Sequence, residues 1–194
     1  MINRFTWTDL SAFDVDGCKE FYAQVFGWSY RDTGYQYQIA STNGADVAGL
    51  FEMPEKFQRI NMPSFWMSYI DVENADKTVE TARRLGAIIE VEPVESDFGN
   101  RIALIRDPAG AGFTCQENRS GSSTLQTFGG GRCWHTLHVS DLGSVEGFYS
   151  ELFDWEFRPT NDSWLFEIFQ ESELIGGLEV TPNELKGEKE RGNH

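Results

Sequence analysis

Phe21-Tyr22-Ala23-Gln24-Val25-Phe26-Gly27-Trp28 returns as Phe148-Tyr149-Ser150-Glu151-Leu152-Phe153-Asp154-Trp155, 127 positions further along the chain. Working outward from that phrase at the same shift, Trp7 falls on Trp134, Leu10 on Leu137 and Asp14 on Asp141. Gly49 falls on Gly176 and Glu52 on Glu179, and no gap is required. Chance does not place so many identities, so many of them aromatic, in one register. Residues 5–53 and 132–180 therefore read as two copies of one structural unit.

Each copy reads as β-α-β-β-β. A strand over Phe5–Ser11, or Cys133–Ser140 in the later copy, leads into an aspartate-containing turn. A helix follows over Asp16–Phe26 or Leu142–Phe153, with apolar residues at helical spacing. Gly27 supplies the left-handed residue that commonly ends a helix. Three strands come next in the first copy, near Trp28–Asp32, Tyr35–Ser41 and Asp46–Glu52, divided by turn residues such as Asn43-Gly44.

Residues 64–117 show the same order with less identity. A strand at 65–70 precedes a helix over Ala75–Leu85 that stops at Gly86. Strands Ile88–Pro93, Arg101–Arg106 and Ala111–Gln116 follow, the last two joined by Asp107-Pro108-Ala109-Gly110. Ser120–Ser123 and Gly129–Gly131 have the composition of a flexible linker. The expected layout is a complete two-repeat domain over 1–118, a linker over 119–131, and a single repeat with a charged tail over 132–194.

A chain of 194 residues buries enough surface to need no staples. Its formal charge of −15 opposes nucleic acid and anionic membrane surfaces, because the net field repels phosphate. No apolar stretch approaches the roughly 20 residues of a spanning helix. The N-terminal residues lack the apolar run of a signal peptide. Cys18, Cys115 and Cys133 are an odd number without CxxC spacing and read as reduced thiols, so the expected location is the cytoplasm.

With three β-α-β-β-β repeats and the phrase at 21–28, the chain resembles the vicinal oxygen chelate superfamily of glyoxalase, bleomycin-resistance and dioxygenase proteins. The Trp-x-x-Leu opening and the Phe-Tyr-x-x-x-Phe-Gly-Trp phrase resemble its tandem-domain group related to lactoylglutathione lyase, and the Asp107-Pro108-x-Gly110 turn is also typical of the family. The resemblance covers residues 5–117 and 133–182. It implies an α+β fold in which two repeats pair their sheets into a half-open mixed-sheet barrel around a cleft. It is specific for fold and poor for reaction, since the family spans isomerases, dioxygenases, epimerases and drug-sequestering proteins.

The tandem relatives carry four repeats, whereas this chain stops about where a fourth should begin. The third repeat is then expected to have an unpaired sheet. One expectation is a homodimer through the C-terminal repeat of each chain; the other is a truncated four-repeat chain.

The resemblance also implies where a metal would sit. The family's first-strand ligand, typically His, lies seven residues before the turn aspartate. That position is Trp7 in the first repeat and Trp134 in the third, and Met67 in the second, counted from Asn74. The last-strand ligand is usually Glu between apolar residues: Glu52 and Glu179 fit, whereas the second repeat offers Thr114. Trp7, Glu52, Met67 and Thr114 are not a divalent-ion quartet. His135 and His138 differ by an odd number along a strand and point to opposite faces. No metal and no other cofactor are expected.

Strand alternation puts Trp7, Asp9 and Ser11 on one face, Met67, Tyr69 and Asp71 on the matching face of the second repeat, and Trp134, Thr136 and His138 on that of the third. If these faces line the cleft, they offer stacking walls and orienting acids suited to a flat organic ligand. Trp7 and Trp134 equally read as core filling, and His138 as a hydrogen-bonded structural residue. Carboxylates at Asp9 and Glu52 on an inner face would point to a wet cleft.

Two functions follow. The first is a metal-independent binder of a small organic molecule, using Trp7, Asp9, Met67, Tyr69, Thr114, Trp134, His138 and Glu179. The second is a lyase or isomerase with Glu52 as general base, or a metal-dependent enzyme or dioxygenase of the same superfamily.

Overall fold

The computed structural model describes residues 2–59, 61–119 and 134–181; the expected linker, apart from Arg119, and the charged tail lie outside the described residues. β1 (Phe5–Ala12) and α1 (Val15–Phe26) precede β2 (Ser29–Asp32), β3 (Tyr37–Thr42) and β4 (Ala45–Glu52). A single turn of helix, α2 (Glu55–Gln58), leads to β5 (Phe65–Asp71), α3 (Ala75–Arg84), β6 (Ile88–Glu95), β7 (Arg101–Arg106) and β8 (Gly112–Glu117). The last run is β9 (Thr136–Val139), α4 (Glu146–Phe153), β10 (Trp155–Pro159), β11 (Leu165–Gln170) and β12 (Glu173–Val180). The fold is α+β: an eight-stranded mixed sheet in the order β2-β3-β4-β1-β5-β8-β7-β6 and a four-stranded one in the order β10-β11-β12-β9. β1 runs parallel to β4, and β9 to β12, while the strands between them pair antiparallel.

Local chemistry sets the helix ends. Asp14 caps α1 by accepting from the Gly17 N–H at 2.9 Å. Gly27, at φ 68°, closes it by donating to the Ala23 carbonyl. The later helix departs from the expectation of a start at Leu142. Leu142–Ser144 form a 3-10 turn, and α4 begins only at Glu146. Asp141 makes no side-chain capping bond there. Gly143, Ser144 and β-branched Val145 are also weak helix formers. Asp154 takes the place of Gly27 at φ 56°, which costs about 1 kcal/mol or more for a residue with a side chain.

The gapless shift between first and third repeats does not survive the strand registers. Leu10 pairs with Leu50, whereas Leu137 pairs with Leu178. The shift is 127 for β1 and β2, and 128 for β3 and β4. One extra residue in the loop between β10 and β11 accounts for the change: Asp32 pairs with Gln38, but Pro159 pairs with Phe166. Gly177, not Gly176, is therefore the counterpart of Gly49, and Glu179 is the counterpart of Phe51 rather than Glu52.

Contacts sort the described residues into two compact units, one of residues 6–69 with 119 and one of 2–5, 70–118 and 134–181. In the first, Leu10, Ala12, Ala40, Ala48 and Leu50 are buried, with Val15, Cys18 and Tyr22 of α1 packed on them. In the second, Val79 and Ala82 of α3, Phe113 and Cys115 of β8, and Phe148, Tyr149 and Phe153 of α4 share one core. The Tyr149 hydroxyl donates to Asp107 Oδ2 at 2.8 Å, and Asp107 Oδ1 accepts from the N–H groups of Ala109 and Ala111. The Asp-Pro-x-Gly turn thus receives the tyrosine of the repeated phrase, and burial holds that phenol protonated. Cys18 and Cys115 are free thiols, with Cys115 pushed up to about 12 by burial, and Cys133 lies outside the described residues. No described helix is long and apolar enough to cross a membrane.

Candidate functional site

Alternation along β1 turns Trp7, Asp9 and Ser11 to one face, and the structure closes a polar cluster there. Asp9 is 2% exposed. Its Oδ1 accepts from Trp7 Nε1 at 2.6 Å and from the Tyr37 hydroxyl at 2.5 Å, and its Oδ2 accepts from the Tyr69 hydroxyl at 2.5 Å. Trp7 Nε1 also lies 2.7 Å from the Tyr37 oxygen. All three donors are neutral. Burial, the largest influence, pushes the Asp9 carboxyl above its ordinary value, against the hydrogen bonds from Tyr37, Tyr69 and Trp7 that pull it down. Burial first, and then the Asp9 charge, holds Tyr37 protonated far above the ordinary phenol value.

Gly49 makes room for the cluster. It pairs with Asp9 across the parallel β1–β4 ladder and with Ile39 on β3. A Cβ at Gly49 would collide with the Tyr37 hydroxyl and Asp9 Oδ1. Ser11, on the same face, is buried, and its hydroxyl has no hydrogen-bond partner among the described residues. Phe51 pairs with Ser11 and stacks on Tyr37, with ring centroids 6.3 Å apart.

The other expected site residues fall in different places. Met67 is half-buried on β5, two residues before Tyr69, with its carbonyl accepting from the Thr8 hydroxyl at 3.1 Å. Asp71, also on β5, is half-buried, and burial raises its carboxyl. Glu52 pairs with Ala12 and lies exposed at the end of β4. Its parity is that of Leu10 and Leu50, so it belongs to the helix-covered face and not to the face of Trp7 and Asp9. Thr114 is buried on β8 in the other compact unit.

In the third repeat Glu179 pairs with His138, and His138 Nδ1 lies 3.5 Å from Glu179 Oε2. Trp134 is 48% exposed, and a Cβ at Gly177 would meet its indole at 3.3 Å. Thr136 is half-buried between them on β9. His135 instead stacks on Phe5 at 4.1 Å, so the two histidines do not come together. Sequence reasoning brought Trp7, Asp9 and Tyr69 to one face but missed Tyr37 and the role of Gly49. Tyr37 lay inside an expected strand, but only the β3–β4 register shows which face it takes.

The metal positions implied by the family can be tested against these donors. Trp7 holds an indole whose N–H is already engaged, Glu52 faces the other side, and Met67 offers a thioether. These residues do not fit a divalent ion. Among the described residues no three of His, Cys, Asp and Glu stand together as metal ligands.

A mixed sheet built from β-α-β-β-β runs, with a buried polar cluster on one face of the first run, places the chain in the α+β class. Residues 4–114 match the model of the Glyoxalase/Bleomycin resistance protein/Dioxygenase superfamily, and the chain belongs to that family. It is 32% identical over 149 residues to "Putative glyoxylase CFP32" of Mycobacterium bovis, covering 74% of this chain and 57% of the relative. It is 26% identical over 158 residues to "Anthracycline biosynthesis protein DauV" of Streptomyces sp. strain C5, covering 74% and 58%. The chain thus spans less than two thirds of either relative. The Mn(II)-bound glyoxalase from Novosphingobium aromaticivorans shares the fold at a TM-score of 0.71 and 13% identity, covering 93% of this chain and 62% of that one.

Proposed function

We propose that the inner face of the first repeat binds a flat, partly apolar organic molecule without the family's metal quartet. The observation that carries this reading is the saturation of Asp9. Both of its oxygens are occupied by Trp7, Tyr37 and Tyr69, which fixes the indole at the position where the family places a first-strand metal ligand. A buried carboxylate with neutral donors is an organising post and leaves an aromatic wall of Trp7 and Phe51 for a ligand. The anthracycline-biosynthesis name of one relative matches that ligand chemistry.

The test is a fluorescence titration of the protein with an anthracycline and, separately, with catechol. Saturable 1:1 quenching by one of them, weakened about tenfold or more by Trp7→Ala, is the expected result. No saturation up to millimolar ligand would refute the binding reading. A large rise in melting temperature with micromolar Mn(II) or Zn(II) would refute the metal-free part of it.

A second reading, a carboxylate-dependent lyase or isomerase, draws on the glyoxylase name of the other relative and on the His138–Glu179 pair beside Trp134. In it Glu179 takes the base role first given to Glu52, because Glu179 shares its face with an imidazole. Turnover of a 2-oxoaldehyde thiol adduct, abolished by Glu179→Gln and kept by Glu52→Gln, would establish it.

A further inference from the structure

Of Trp7, Asp9 and Ser11 on β1, only Ser11 keeps an uncommitted polar atom. It is 1% exposed, and its hydroxyl has no hydrogen-bond partner among the described residues. The neighbouring donors are already engaged: the Trp7 indole N–H and the Tyr37 and Tyr69 hydroxyls all go to Asp9. A buried hydroxyl left unpaired costs stability, and an alanine in its place would carry no such cost. Packing alone therefore gives no reason for a serine here, and an orphaned group of this kind calls for a partner. Its position also joins it to the aromatic wall. Ser11 pairs with Phe51, which is half-buried and stacks on Tyr37 with ring centroids 6.3 Å apart.

We propose that Ser11 is the residue of this site that reads the ligand's polar edge, by donating its hydroxyl proton to a neutral carbonyl oxygen on a flat aromatic molecule stacked at Phe51. The inference rests on the ligand-binding reading of the first repeat and gives that ligand a chemical class. An anionic edge would lie beside the buried Asp9 carboxyl, which disfavours it. A cationic edge would need a carboxylate oxygen to receive it, and both oxygens of Asp9 are occupied. Among neutral groups, a phenol giving its proton to Ser11 would leave the serine's own proton unpaired, whereas a carbonyl takes that proton and brings none. The hydroxyl is sealed from solvent in the free protein, so a ligand must move something to reach it. Met53 continues the same face one step beyond Phe51, its N–H donating to the Ala12 carbonyl. It is buried and unbranched, a side chain that changes rotamer readily.

Equilibrium dialysis of the whole chain against 9-fluorenone and fluorene, flat molecules that differ by one carbonyl oxygen, tests it. The wild type is expected to favour fluorenone about tenfold. Ser11→Ala should bring that preference within about twofold, by weakening fluorenone and leaving fluorene unchanged. Thermal melting supplies a readout that needs no ligand. Free Ser11→Ala is expected to melt at or above the wild-type temperature, because the orphaned hydroxyl is gone. A variant melting several degrees lower would show that the hydroxyl serves the fold, and overturns the inference. A preference that survives Ser11→Ala while Trp7→Ala weakens both molecules also overturns it, and leaves the binding reading standing. So does binding of an anthracycline with neither tricycle bound; if none of the three binds, both fall together.

Discussion

The first and third repeats carry the same aromatic phrase and bury opposite sides of themselves. In the first, Asp9, Tyr37 and Tyr69 close a hydrogen-bonded cluster on the sheet face, while Phe21 and Phe26 of the helix stay exposed. In the third, the helix face is sealed in the core shared with the second repeat, while Trp134 and His138 stand exposed on the sheet. Their structural counterparts explain the reversal on the sheet side. Asp9 becomes Thr136, Tyr37 becomes Leu165 and Phe51 becomes Glu179, so these positions of the third repeat's sheet supply no buried carboxylate and no phenol to cap it. A motif therefore states that a surface is fit for burial. Its neighbours decide whether burial happens.

The largest effect should come from the helices. Phe153→Ala empties a filled site in α4 and should cost about 3–5 kcal/mol. Phe26→Ala removes the same atoms from a half-exposed position and should cost less than about 1 kcal/mol when measured at submicromolar protein. Urea denaturation of the two variants checks this directly. Equal losses would mean that α1 is covered within the single chain, which breaks the comparison.

A smaller contrast lies at the two counterpart glycines. Gly49→Ala drives a methyl into Tyr37 and Asp9, both held by short hydrogen bonds, and should cost about 1–3 kcal/mol. Gly177→Ala meets the half-exposed indole of Trp134 at 3.3 Å, which can give way, and the Phe166 carbonyl at an ordinary 3.6 Å, and should stay within about 0.5 kcal/mol. Thermal melts of both variants decide it. A large loss at Gly177 would show that the indole is as firmly held as the Asp9 cluster.

These contrasts mark how much was readable beforehand. Apart from the single turn α2, element order was legible because periodicity and turn residues are local properties, and so were the family and the shared face of Trp7 and Asp9. The exception in the helices was the start of α4, where nothing in the sequence said that Asp141 would fail to cap. Glu52 and Glu179 looked equivalent because one inserted loop residue is invisible when the flanking identities persist at the old shift. Pairing partners settle that register, and they lie far apart in sequence. Tyr37 was missed for the same reason. The burial of α4 was beyond reach altogether, since it depends on which repeat packs against which.

The finest test concerns the charge at the heart of the first repeat. The folded carboxyl of Asp9 sits above its unfolded value of 3.8, so the folded protein holds that proton more readily than the unfolded chain does. Its contribution to stability is then fully present below about 3.8 and is lost as pH rises through the folded value. Asp9→Asn cannot titrate and supplies the reference. The stability of the wild type minus that of Asp9→Asn should therefore grow as pH is lowered from 7, and level off below 3.8. The other carboxylates act in both proteins and cancel. A difference that shrinks on acidification would mean that the hydrogen bonds from Trp7, Tyr37 and Tyr69 outweigh burial. Asp9 would then be a stabilised anion, and the first repeat's sheet face would be held by charge-assisted bonds where the third has none.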